Sequence, residues 1–99
     1  KNTTISKNKY DLLLKNYPTI PMYPVDDDTV KIPSAWLIEQ AGWKGYRYGD
    51  AGCHEKQALV LVNYGNASGK NIYDLALQII ASVEQKFGVR LTMEVNLWN

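Results

Sequence analysis

The 99-residue sequence has one cysteine (Cys53), one histidine (His54) and one phenylalanine. A single thiol cannot close an intrachain disulfide, and secreted domains of this size commonly use several, so a reducing compartment, the cytoplasm, is expected. One Cys and one His cannot supply the spaced ligand set of a zinc site. An excess of one charge is also missing: 11 basic and 10 acidic residues leave a net +1. The chain therefore lacks the long-range field that draws a protein to nucleic acid or anionic lipid, and neither partner is expected. The longest purely aliphatic run, 58–62, falls far short of the roughly 20 residues that cross a bilayer. The chain opens Lys1-Asn2-Thr3-Thr4 without an initiator Met or a leader-like segment, and is expected to be a piece of something longer. There is no glycine-rich phosphate loop and no nucleophile elbow.

What remains is an ordinary globular composition, 45% hydrophobic and 21% charged, sized for one compact domain. Tyr10, Leu13, Leu14 and Tyr17 lie on one face of a helix that Ser6 can cap and Pro18 ends. Pro21, Pro24 and Asp26-Asp27-Asp28 then predict an extended, exposed connection with no strand. A second helix is expected over 35–41, capped by Ser34 and stopped by a left-handed Gly42, with Trp36, Leu37 and Ala41 inward. The Gly- and aromatic-rich segment 43–52 suggests turns and one or two short strands. The segment 58–63, apolar at successive positions through Val62, reads as a central strand covered on both faces. Ile72, Leu75, Ala76, Ile79, Ile80, Val83 and Phe87 trace a long helix ending at Gly88. The tail alternates, with Val89, Leu91, Met93, Val95 and Leu97 on one face, which predicts a half-buried strand. These elements make an α+β domain: a small, mainly antiparallel sheet packed against two or three helices.

Few residues stand out chemically. Cys53 and His54 are adjacent, so on an extended segment they point apart, and the expected role of His54 is to orient a loop. Glu94 lies on the polar face of the tail strand, as either a solvated carboxylate or an acid facing a cleft. Lys44 and Arg47 among turn glycines could meet a diphosphate or simply decorate a hairpin tip. With Trp43, Tyr46 and Tyr48 they also suggest a stacking platform for single-stranded nucleic acid, or exposed aromatics for protein docking.

The block Ser34-Ala-Trp-Leu-Ile-Glu-Gln-Ala-Gly-Trp-Lys-Gly45, then Gly49-Asp-Ala-Gly-Cys-His-Glu-Lys-Gln-Ala-Leu-Val-Leu-Val-Asn63, resembles the C-terminal domain of the MurB reductases of peptidoglycan synthesis. The likeness continues through Gly65-Asn66-Ala67, the long helix and the closing Met93-Glu94-Val95. It implies that residues 1–99 are the substrate-binding domain of a UDP-N-acetylmuramate dehydrogenase whose FAD-binding domains lie upstream. Such enzymes use NADPH and FAD to reduce UDP-N-acetylglucosamine enolpyruvate to UDP-N-acetylmuramate. This piece alone would hold no cofactor and be inactive.

Carried over by position, Glu94 matches the family's active-site glutamate, a candidate general acid. Lys44 and Gln57, the latter heading the 58–63 strand, match positions that hold the uridine diphosphate. Lys1-Asn2 resembles the end of a Gly-Ser-(two residues)-Lys-Asn-Pro segment. Its proton-donating serine would lie just before Lys1, and its asparagine, here Asn2, touches the nucleotide. Thr3 stands where the family has Pro.

Overall fold

A computed structural model describes residues 2–58 and 60–91 with their side chains, and the backbone of Asn96–Trp98. The opening Asn-Thr-Thr-Ile-Ser is rich in β-branched side chains that suit a pleated surface. It forms strand β1 (Asn2–Ser6), with Thr3 and Ile5 turned inward and their neighbours exposed. Ser6 ends the strand and caps helix α1 (Lys7–Asn16), its hydroxyl accepting the Lys9 N–H at 3.0 Å. The helix closes at Tyr17, whose N–H reaches the Leu13 carbonyl at 2.8 Å, because Pro18 disfavours helical geometry in the residue before it.

The 18–28 connection differs from expectation in containing a strand, β2 (Tyr23–Pro24). It pairs with β3 (Thr29–Pro33), which pairs antiparallel on its other side with β1, giving the order β1-β3-β2. A proline is tolerated in β2 because an edge strand can spare an N–H. Asp26 shapes the turn into β3 by accepting the Asp28 and Thr29 N–H groups and the Thr29 hydroxyl. Those bonds, the Asp28 amide first, hold its carboxyl below the usual range.

Helix α2 (Ser34–Gln40) begins one residue earlier than expected, with Pro33 at the N-cap and no side-chain cap. Ser34 is instead fully buried inside the first turn, and its hydroxyl meets that of Thr3, also buried, at 2.7 Å. This bond ties the helix to the first sheet. Ser34→Ala would strand the Thr3 hydroxyl and is expected to cost about 1–3 kcal/mol, measured by urea unfolding. Adding Thr3→Val should recover most of that loss. At the other end the helix stops as predicted. Gly42, at φ 90°, donates to the Glu39 carbonyl, and Trp43 donates to that of Ile38, the paired bonds of a Schellman stop.

The second sheet has the order β4-β5-β6-β7. Strands β4 (Arg47–Tyr48) and β5 (Ala51–Cys53) make a hairpin whose two-residue loop starts at Gly49 with φ 61°, a conformation that favours glycine. Strand β6 (Val60–Asn63) lies inside the sheet, as read from its apolar composition, but begins two residues later than the apolar run and is not covered on both faces: Leu61 is buried while Val60 and Val62 are half-buried. Asn63 then organises the exit turn: its Oδ1 accepts the Gly65 and Ala67 N–H groups and its Nδ2 donates to the Ala67 carbonyl.

Helix α3 (Gly69–Phe87) opens on a reciprocal cap between Ser68 and Asn71 and closes on Gly88 at φ 66°. It buries Ile72, Leu75, Ala76, Ile79, Val83 and Phe87, as the periodicity requires, while Ile80 packs at the margin. Strand β7 (Asn96–Trp98) pairs with β6 in parallel, Val60 opposite Asn96. A parallel pair needs a crossover, and α3 supplies it, so one βαβ unit sits in an otherwise antiparallel arrangement. Val89 and Leu91 are buried and Arg90 exposed, following the tail's alternation. Residues 89–91 are not strand, against expectation, and residues 92–95 with the side chains of 96–98 lie outside the described residues.

The expected α+β class therefore holds, with the strands divided between two sheets. Helix α2 joins the two halves by touching β1, β3 and α3. Beside it Tyr17, Trp36 and Phe87 form a triangle of rings with centroids 5.1–6.0 Å apart. Tilted and edge-on rings at such spacings attract beyond their buried area. A single apolar core runs through both halves, from Ile5 and Ile32 to Leu61 and Ile79. No helix among the described residues is long and apolar enough to cross a membrane.

Candidate functional site

The Schellman stop of α2 turns the chain so that Lys44 follows directly beside the helix's own outer face. Its ammonium lies 3.4 Å from the Glu39 carboxylate. Both side chains are a third to a half exposed, so this pair contributes at most about 1 kcal/mol and yields easily to a stronger anion.

The segment after β5 comes back to the same place. His54 donates its backbone N–H to the Val60 carbonyl at 2.8 Å, and Val60 donates to Gln57 at 2.8 Å. Gln57 therefore opens the turn before β6 and does not head the strand as the apolar run suggested. Inside the turn the His54 Nδ1 accepts the N–H groups of Lys56 at 3.0 Å and Gln57 at 3.1 Å. The His54 ring is thus bonded to its own loop, in keeping with the expectation.

These pieces enclose a hollow of about 420 Å³ lined by Ala35, Glu39, Lys44, Lys56, Gln57, Ala58 and Val60. Ala35 and Glu39 come from one face of α2, Lys56 to Ala58 from the turn, and Val60 from β6. Lys44 and Gln57, far apart in sequence, are brought together. Sequence reasoning missed Lys56 as a second cation and Glu39 as the partner of Lys44. The opposite charges of Glu39 and Lys44 on either side of the Gly42 stop were a usable signal for the latter; nothing local announced Lys56.

The other predicted residues stand differently. Asn2 is ordered at the start of β1, exposed and opposite Pro33, and is absent from the hollow's lining. Glu94 lies outside the described residues. Cys53 is wholly buried, its thiol donating to the Ala58 carbonyl at 3.1 Å. Burial pushes that thiol up, the opposite of nucleophile activation.

Arg47, the other candidate cation, lies over the Tyr64 ring at 3.8 Å and bonds the Gly49 carbonyl and the Asp50 carboxylate. The Trp43 and Tyr46 rings pack edge to face at 4.8 Å, while Tyr48 stays mostly exposed. A second hollow, about 340 Å³ between the β4–β5 loop and α3, is lined by residues including Asp50, Asn71, Asp74 and Gln78. Its carboxylates disfavour an anion. The hollow with two lysines and an amide is the one suited to a phosphorylated ligand.

Comparison with known proteins agrees in extent. Residues 7–98 match the family model described as "UDP-N-acetylenolpyruvoylglucosamine reductase, C-terminal domain". The chain is 51% identical over 98 residues to a UDP-N-acetylenolpyruvoylglucosamine reductase of Pseudomonas syringae, covering 99% of this chain and 29% of that protein. It is 52% identical over 94 residues to that of Porphyromonas gingivalis, covering 95% and 28%. Against that of Flavobacterium johnsoniae it is 45% identical over 97 residues, covering 98% and 29%. The chain thus spans under a third of the length of these relatives.

Proposed function

Since the chain belongs to the family of UDP-N-acetylenolpyruvoylglucosamine reductase C-terminal domains, we propose that it is the substrate-binding domain of such a reductase. In this reading the longer protein reduces UDP-N-acetylglucosamine enolpyruvate to UDP-N-acetylmuramate in the cytoplasm, for peptidoglycan synthesis. Residues 1–99 alone bind the nucleotide and have no reductase activity. The observation that carries the reading is the meeting of Lys44 and Gln57, with Lys56, on one hollow.

The chemistry of the lining supports it. Two ammonium groups suit the diphosphate, and the Gln57 amide can both donate to and accept from a uracil or sugar. Bound diphosphate replaces Glu39 as the partner of Lys44. FAD and NADPH are assigned to the remainder of the longer protein. When bound there, the flavin supplies the hydride. This chain's residues hold the nucleotide end still while Glu94, two positions before Asn96 in the sequence, serves the developing charge on the enolpyruvyl group. Asn2 is assigned a nucleotide contact made when the domains close. Strand β7 begins at Asn96 opposite Val60, itself part of the lining.

Titration of the chain with UDP should shift the amide resonances of Lys44 and Gln57. In the full-length reductase, Lys44→Ala is expected to raise the Michaelis constant about tenfold or more with little loss of turnover, the signature of a lost ground-state contact. An unchanged Michaelis constant would refute the assignment.

A further inference from the structure

We propose that His54 is a positioning residue for this hollow: its imidazole holds the turn that directs the Lys56 and Gln57 side chains into it. The inference rests on the reading of the hollow as a nucleotide site, and adds a residue that does not itself line it.

The geometry is specific. One ring nitrogen, Nδ1, accepts two successive backbone N–H groups, from Lys56 and Gln57. That acceptor role places the neutral ring's proton on Nε2. The backbone of His54 is pinned to Val60, and Val60 to Gln57, so the turn closes on the β6 end and on the imidazole at once. Neighbouring side chains on extended backbone diverge. Here Lys56 and Gln57 both line the hollow, which requires the chain to bend between them, and the shared acceptor stabilises that bend. The arrangement also occupies these two N–H groups, so neither is available to an anion in the hollow.

The prediction separates an acceptor from mere bulk. In Asn, Oδ1 stands at the same bond distance from Cβ as the Nδ1 of His, so His54→Asn keeps the acceptor. His54→Leu removes it and keeps volume, with His54→Ala as a second acceptor-free variant. Hydrogen exchange at the Lys56 and Gln57 amides, which needs no ligand, is expected to quicken about tenfold in the Leu and Ala variants and to stay within about twofold in the Asn variant.

Titration of the chain with UDP, followed by NMR, reads the second consequence. The dissociation constant should rise about five- to tenfold in the Leu variant, to the level of Gln57→Ala, and the double variant should be no weaker than either single. His54→Asn should bind as the unaltered chain does. UDP binding and amide exchange both unchanged in the acceptor-free variants overturn the role of His54 alone. An unaltered chain that gives no UDP response at Lys44 or Gln57 overturns the nucleotide reading, and the positioning role with it.

Discussion

Replacing Glu94 by Gln in the full-length reductase is expected to slow reduction of the enolpyruvyl substrate by roughly 10²–10⁴-fold, the range for loss of a positioned acid. Flavin reduction by NADPH should be almost unaffected. The two half-reactions separate in stopped-flow absorbance, because the flavin bleaches on accepting hydride and regains colour on passing it to substrate. Hydride addition leaves an enolate-like charge beside a carboxylate, and a group that polarises it acts only in that step. Equal slowing of both half-reactions would remove Glu94 from the stabilisation of that charge.

The second large effect concerns stability. Leu61 is wholly buried in β6, between β5 and β7, in the core that α3 covers. Leu61→Ala removes the side chain from the middle of that sheet, where rigid backbone on both sides limits collapse, and is expected to cost about 2–5 kcal/mol. For a domain this small, even the lower end lowers the melting temperature by roughly 10 °C. Thermal unfolding followed by circular dichroism gives the value. A loss below about 1 kcal/mol would mean that the second sheet adds little to the cooperative core.

Helix α3 was legible in the sequence because its evidence is local: a 3.6-residue apolar stripe and Gly88 at the stop, with the Ser68–Asn71 cap added by the structure. Helix α1 was legible for the same reason. Strands β1, β2 and β3 were not. Each is short, and what makes Thr3-Thr4-Ile5 a strand is the partner segment Val30-Lys31-Ile32 far along the chain, a pairing that no local pattern reports. Ser34 shows the limit of cap reading. Ser is a favoured cap, yet here it turned inward because a buried Thr3 hydroxyl needed a partner.

The site divides in the same way. Lys44 follows a helix stop that glycine announces, so its place beside α2 follows from local rules. Gln57 looked like the first residue of an apolar strand, and only the bonds of the His54 ring reveal a turn there. The family resemblance pointed to both positions without explaining how they meet. The geometry explains it: a helix end and a ring-held turn face each other across Val60.

The parallel pairing of β6 with β7 also dictates an order of events on the ribosome. The edge of β6 that β7 will cover stays open until α3 and the residues beyond it have been made, roughly 35 positions later. During that interval the most apolar strand of the chain presents bare amides and carbonyls to any other nascent strand it meets. Truncations ahead of Asn96 should therefore accumulate as aggregates, whereas slow synthesis through α3 prolongs the exposure without altering the final fold.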